Sequence, residues 1–447
     1  MEHIDWQLQR FAEGHDRTAI VWRDHEYSYG DLTERYHDWV RRLAAAGVTP
    51  GASVAIVGDF SPGSMTALLA LIGLRCILVP MSRDSRDQHD QFCDIAEIDF
   101  RIDLDENDQG VINATPYRKG HPLLQKLRDA DEAGLVLFSS GSTGKPKAIL
   151  HALPQLLEKF RTPRHCYRTV TFLLFDHIGG FNTLMYTMAN LGCVVAPDDR
   201  SVTSVCRAIE RHKAELLPTS PSFLNLLLLG ESHRDFDLSS LRLITYGTEV
   251  MPERTLVLLS EAFPNVRLQQ TYGLSELGIL RSKSASNQSL LVQVGGEDYE
   301  TKVVDGTLRI RARCSMLGYL NAPSPFDEEG WFNTGDSVIQ EGDYYRILGR
   351  VTEIINVGGQ KVYPAEVEKV IAEIPDFTDV AVMGEPHMLM GNVVVATVQM
   401  AVPLPAAEVK RKIVDHCRGR LQPFMIPAKV KVVTDSLVNY RFKKVRR

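Results

Sequence analysis

The densest chemistry in the chain lies at Ser139-Ser140-Gly141-Ser142-Thr143-Gly144-Lys145-Pro146-Lys147. Small hydroxyl side chains supply donors, glycines let backbone N–H groups turn toward an anion, and lysines add positive charge. An apolar run, Gly134-Leu-Val-Leu-Phe138, precedes the loop and reads as a buried strand. Together they make a polyphosphate cradle. The cradle differs from the P-loop of NTPases, where Gly-Lys is followed by a Ser or Thr whose hydroxyl sits on Mg²⁺. Here Gly144-Lys145 is followed by Pro146, which has neither a hydroxyl nor an N–H. A second cluster, Thr271-Tyr272-Gly273-Leu274-Ser275-Glu276, places Glu276 beside a glycine turn as a hard oxygen ligand suited to Mg²⁺. Tyr272 offers a flat face for a base, and Ser275 a hydroxyl for a phosphate.

These segments, in this order, resemble the motifs of the adenylate-forming superfamily of acyl- and aryl-CoA synthetases, adenylation domains and luciferases. The phosphate loop departs from the family pattern only at its last place, where Ala148 replaces glycine. Thr271, Tyr272, Gly273, Ser275 and Glu276 match the family's tyrosine-glycine-glutamate segment. Upstream, Tyr246-Gly247-Thr248-Glu249 resembles the segment lining its adenine and acid pocket. The stretch Gly330-Trp331-Phe332-Asn333-Thr334-Gly335-Asp336, followed by Leu348-Gly349-Arg350, resembles the ribose segment. By that resemblance Asp336 holds the ribose hydroxyls, for which a carboxylate is the natural acceptor, and Arg350 assists. At the end of the chain, alignment on Val445 and Arg447 puts the family's catalytic lysine at Lys444. Lys443 stands where the family has glycine and is the competing candidate; Tyr440 replaces its threonine.

The resemblance implies a two-step reaction. A carboxylate attacks the α-phosphate of ATP, giving acyl-AMP and pyrophosphate; a thiol then takes the acyl group and AMP leaves. The implied cofactors are ATP, Mg²⁺ on Glu276, and CoA or the phosphopantetheine of a separate acyl carrier protein. The implied partner is a small carboxylic acid. Lys444 would bridge the attacking carboxylate and the phosphate. In the family the second domain rotates between the steps, and the pivot falls here on Thr352 rather than Asp or Lys. Asn356-Val-Gly358-Gly359-Gln360-Lys361 resembles the loop lining the thiol tunnel, with Gly358, Gly359 and Lys361 as its candidates.

The acid pocket can be aligned in two registers over Phe175-Asp176-His177-Ile178-Gly179-Gly180. Read as F-x-H-x-x-G, it resembles aryl- and acyl-CoA ligases and puts His177 near the carboxylate. Read as F-D, it resembles amino-acid adenylation segments, with the aspartate gripping an amino group. The first register is favoured, because the glycine spacing and the following apolar helix fit it. Phe181, Leu184 and Met185 are expected to wall the pocket, and Gly179 and Gly180 to leave space for an aromatic or medium acyl acid. His151, which resembles a histidine of some CoA ligases, reads as a packing residue. The leading function is therefore an ATP-dependent acid:thiol ligase. The alternatives are an amino-acid-activating enzyme that loads a carrier, and a silent nucleotide-binding relative.

The elements that must position these residues alternate. Helical periodicity runs from Tyr29 to Ala46 with Asp31 as the expected N-cap, then come a strand at 53–57, a helix at 64–74 and a strand at 76–79. After the phosphate loop the alternation resumes: helix 154–160, strand 170–175, helix 181–189, strand 193–196, helix 202–212, strands near 216 and 241–245. Such units imply mostly parallel sheets covered by helices, an α/β class. From about residue 292 the texture turns to short strands and glycine turns, a small β subdomain. Beyond 350, helices at 365–374 and 406–421 and strands at 380–383, 393–400 and 429–433 make a smaller α+β unit. The expected domains are a large N-terminal AMP-binding adenylation domain, 1–350, and a mobile C-terminal domain on a hinge, 351–447.

At 447 residues the chain is long for one core. A net charge of −6 gives no broad case for nucleic acid. No apolar run reaches the roughly 18 residues that span a membrane, and no signal pattern opens the chain. Seven scattered cysteines without a C-x-x-C pair argue against a disulfide framework or zinc site and for a cytoplasmic location.

Overall fold

The computed structural model describes residues 4–117, 120–139, 146–296, 298–438 and 444. Two seven-stranded sheets form the larger part of the molecule. One contains Ser53–Val57, Ile77–Met81 and Gly134–Ser139 as parallel neighbours, with Lys147–Ala152 antiparallel at their side. The other runs parallel through Arg267–Gln270, Leu243–Tyr246, Leu216–Thr219, Arg168–Val170, Cys193–Ala196 and Thr18–Trp22. The expected α/β class with mostly parallel layers is what the chain adopts.

Burial explains the pattern. Ser53–Val57 and Ile77–Met81 are buried at every residue, as parallel strands covered on both faces must be. Helix Pro62–Gly73 is buried from Pro62 through Ile72, so it is apolar all round and belongs inside the core. Its start is fixed by a Ser61/Ser64 capping box and Pro62 in the first turn. That helix and Ile178–Ala189 contribute to one core cluster, which ties the two sheets together.

Several expectations shift. Helix Tyr29–Ala45 is capped by Ser28, and Asp31 is its reciprocal partner three residues on rather than the cap itself. The strand expected at 170–175 ends at Val170. Phe172 and Phe175 are buried anchors of a loop, which delivers His177 to the next helix. The last helix stops at Cys417, before Gly419 at a φ of 78°.

The region 281–350 holds a six-stranded antiparallel sheet. Its hairpin at Asp305-Gly306 has positive φ at both residues, the primed turn that strand twist favours. Beyond it, a five-stranded sheet over residues 355–433 packs against helices Pro364–Ile371 and Ala406–Cys417. That unit has its own core cluster, drawn from residues 355 to 425.

Candidate active site

A cleft of about 1750 Å³ is lined by residues from Ser139 to Lys444. That is larger than one drug-sized ligand needs and is suited to a nucleotide and a second substrate together. The phosphate loop connects two adjacent antiparallel strands, with Ser139 paired to Lys147. Strand–loop–strand is a different device from the strand–loop–helix of a P-loop. Ser139 and Lys147 border the cleft, and the Lys147 ammonium lies 4.9 Å above the Tyr319 ring. Ser140, Gly141, Ser142, Thr143 and Gly144 lie outside the described residues.

Asp336 and Arg350 face each other in neighbouring strands, Phe332–Glu341 and Tyr344–Arg350. Arg350 Nε lies 2.7 Å from Asp336 Oδ1, and the Tyr272 hydroxyl donates to Oδ2 at 2.5 Å. The backbone N–H of Asp336 donates to Thr334 Oγ1 at 3.0 Å, and that hydroxyl donates to Leu308 O at 2.7 Å. Burial raises the Asp336 carboxyl above its ordinary value, while Arg350 and the Tyr272 hydroxyl pull it back. The Tyr272 hydroxyl, shut away from water beside that carboxylate, is pushed far up. Sequence reasoning missed Thr334 as a support and Tyr319 altogether. Tyr319 donates to Glu276 Oε1 at 2.8 Å, and its place opposite Ile149 in a strand pair is a tertiary fact with no local signal.

The segment 247–249 is shaped by close backbone approach. A Cβ on Gly247 would lie 2.6 Å from Thr271 Oγ1 and 2.8 Å from Thr271 O. Thr248 follows in the left-handed region at a φ of 71°, which costs about 1–3 kcal/mol for a β-branched residue and persists where surroundings enforce it. Glu249 accepts from the Ser222 hydroxyl at 2.6 Å and from the Lys444 backbone N–H at 3.1 Å. The Lys444 ammonium donates to Val380 O at 2.8 Å and pairs with Asp379 Oδ1 at 3.0 Å. Lys443 lies outside the described residues.

The two registers of the acid segment separate in space. His177 lines the cleft; its Nδ1 accepts from the Gly179 N–H at 3.1 Å and caps helix Ile178–Ala189. A neutral ring so bonded carries its proton on Nε2. Asp176 is buried behind the wall, where Ser82 N–H donates to it at 3.3 Å. The expected apolar wall is corrected. Phe181, Leu184 and Met185 are buried in the core, and the cleft face of the helix carries Gly179, Asn182, Thr183 and Tyr186. An amphipathic helix turns its apolar stripe inward. Gly180 also leaves no space for a ligand: a Cβ there would sit 1.9 Å from Leu174 O.

Thr271, Gly273, Ser275 and Glu276 also line the cleft. So does Thr352, in the short turn Val351–Glu353. Gly358, Gly359 and Lys361 lie in a separate hairpin, with both glycines at positive φ and Gly358 N–H donating to Met390 O at 2.8 Å. The cleft thus combines a carboxylate paired with Arg350 and Tyr272, a glutamate held by Tyr319, the four lysines Lys147, Lys159, Lys369 and Lys444, and the His177 ring.

The profile of the AMP-binding enzymes matches residues 8–320, and that of their C-terminal domain matches 366–444. The chain is 28% identical to an indoleacetate–CoA ligase of Aromatoleum aromaticum, covering 100% of this chain and 97% of that one. A crystal structure of an anthranilate CoA ligase with anthranoyl-AMP superposes with a TM-score of 0.84 at 21% identity, over 99% of this chain and 95% of that one. The o-succinylbenzoate CoA synthetase of Bacillus subtilis gives 0.79 at 23% identity, over 99% and 96%. The chain belongs to the family of AMP-binding enzymes and is an adenylate-forming ligase.

Proposed function

We propose that this ligase joins an aryl or arylalkyl carboxylic acid bearing hydrogen-bonding substituents to coenzyme A. The observation that carries the reading is the single cleft into which His177, Glu276, Asp336, Arg350 and Lys444 all project a lining surface. From His177 the cleft face continues along the helix to Tyr186. Nine residues at 1.5 Å each make about 13 Å, long enough for an aromatic ring on a short arm. Asn182, Thr183 and Tyr186 on that face suit polar groups on the acid better than a bare hydrocarbon.

In the first step a carboxylate oxygen attacks the α-phosphorus of ATP, and the bond to pyrophosphate breaks. Lys444 neutralises charge between the two anions, and Asp336 with Arg350 holds the ribose. Glu276 keeps one oxygen on Tyr319, and a single carboxylate is the protein share that Mg²⁺ needs when phosphates and water supply the rest. Bound there, Mg²⁺ would shield the triphosphate charge. In the second step the CoA sulfur attacks the acyl carbon, and the bond to AMP breaks. The Nε2–H of His177 orients the acid carboxylate. The Gly358–Gly359 hairpin admits the pantetheine arm.

All seven cysteines are free thiols and six are buried, which suits the reducing cytosol. Among the described residues no helix is long and apolar enough to cross a membrane.

The test is acid-dependent pyrophosphate release over a panel of aryl, arylalkyl, aliphatic and amino acids, followed by thioester detection with CoA and with a phosphopantetheinylated carrier. Turnover with aryl acids and CoA is expected. An amino acid as best substrate, with a carrier as acceptor, would replace this reading.

A further inference from the structure

The turn that carries Glu276 sits between the two-residue strands Gly273–Leu274 and Gly278–Ile279. Within it, Leu277 N–H donates to Leu274 O at 3.1 Å, and Leu280 N–H donates to Tyr272 O at 3.0 Å. Four more of its carbonyls are taken by groups from elsewhere. His151 Nε2 donates to Ser275 O at 2.6 Å. Met316 N–H donates to Glu276 O at 2.8 Å. Cys314 Sγ donates to Leu277 O at 3.3 Å, and Lys159 Nζ donates to Ile279 O at 2.9 Å.

The three side chains come from separate elements. His151 is in strand Lys147–Ala152, Lys159 in the short turn Glu158–Phe160, and Cys314 in the loop after strand Thr307–Ala312. His151 and Cys314 are buried. Burial holds the His151 ring down at about 4, so near neutrality it is uncharged, and the contact to a carbonyl places its proton on Nε2. Burial, with Arg164 and Arg281 nearby, brings Lys159 down to about 8; ammonium and amine both keep an N–H to donate. The Tyr299 hydroxyl meets Cys314 Sγ at 3.1 Å, which completes the row. Leu, Met or Phe would fill this layer without the cost of burying polar atoms. What the three share is a donor aimed at alternate carbonyls of one short turn.

We infer that His151, Lys159 and Cys314 are positioning residues: they fix the backbone of residues 275–279 so that the Glu276 carboxylate faces the cleft in one orientation. The proposal rests on the reading of Glu276 as the acid serving Mg²⁺ and the phosphates. Its consequence is that Glu276 is set by side chains of other elements, of which His151 and Cys314 are buried outside the cleft lining while Lys159 borders it.

Serine at position 314 keeps a donor in nearly the same volume, and alanine does not. The experiment uses the full-length Cys314→Ala, Cys314→Ser and Lys159→Met variants. Hydrogen exchange of the Leu277 and Leu280 amides is read without nucleotide or metal, and the Mg²⁺ midpoint of pyrophosphate release is read with them. Loss of one hydrogen bond should speed exchange of those amides about tenfold in Cys314→Ala and Lys159→Met. Both variants should also need several-fold more Mg²⁺, and Cys314→Ser should match wild type on both readings. Equal behaviour of the serine and alanine variants, or exchange confined to a global loss of stability, would overturn the proposal. If Lys159→Met does not fold, the Cys314 pair decides alone. A wild-type protein that releases no pyrophosphate with any acid refutes the ligase reading, while the exchange measurement still decides this one.

Discussion

Lys444 shows how far a residue's environment constrains its role. Its ammonium is held by Asp379 and Val380 O at the edge of the cleft, and its backbone N–H by Glu249. To meet a phosphate it must exchange Asp379 for the substrate's charge. Lys444→Ala should suppress acyl-AMP formation by about 10²-fold or more, the scale for loss of a positioned charge-stabilising group. Thiolysis of supplied acyl-AMP should survive, and pyrophosphate release measured beside thioester formation checks both. Glu276→Ala should cost a similar factor in Mg²⁺-dependent pyrophosphate release with the melting temperature unchanged. At the acid end, His177 lines the cleft and Asp176 does not. His177→Ala should therefore impair kcat/KM for the acid about tenfold or more. Asp176→Asn should change acid kinetics much less, and the reverse ranking would restore the amino-acid register.

At the scale of elements, Gly180 does more than its neighbour. A Cβ at Gly180 meets the Leu174 carbonyl at 1.9 Å, and backbone cannot yield; at Gly179 the nearest atom is a Leu173 side-chain methyl at 2.7 Å. Gly180→Ala should cost several kcal/mol of stability and Gly179→Ala markedly less, compared by thermal melting. His151 supplies a pH-dependent term. Its folded pKa of about 4 lies below the ordinary 6.5, so between those values the unfolded chain binds more protons. Stability from this group is full above about pH 6.5 and falls as pH drops toward 4, by about 3 kcal/mol in all. His151→Gln should flatten that part of the profile relative to wild type. The sequence made some of this legible and not the rest. The phosphate loop and the Asp336 and Arg350 segments are contiguous motifs, so local spacing reveals them. His151 and Lys159 reach the Glu276 turn across 124 and 120 residues, Tyr319 and Cys314 across 43 and 37, and none leaves a local pattern. Helix periodicity shows which residues share a face without saying which face meets the cleft, so the apolar stripe expected on the acid pocket packs into the core instead.

At the scale of the whole molecule, contacts among the described residues between the larger part and the unit beyond 350 include several polar ones. Lys369 pairs with Glu253 at 2.6 Å, Arg254 donates to Ala372 O at 2.8 Å, and Ser337 meets Tyr363 at 3.2 Å. The first pair is half-exposed on both sides, and such pairs are worth at most about 1 kcal/mol each. Polar contacts of that kind can be broken and remade at small cost. We propose that the unit pivots at Thr352, in the exposed turn Val351–Glu353. Thr352→Pro should then spare one half-reaction and suppress the other, because proline restricts both its own φ and the residue before it. Equal activity in both would place the pivot elsewhere. The central claim, that one cleft activates an acid with ATP and passes it to CoA, is tested most directly by incubating the full-length protein with ATP, Mg²⁺, CoA and a panel of acids. Pyrophosphate release and thioester mass are followed together. The account predicts stoichiometric pyrophosphate, AMP and aryl-CoA with at least one aryl or arylalkyl acid, and acyl-AMP accumulating when CoA is left out. ATP binding with no acid-dependent pyrophosphate from any acid would contradict it.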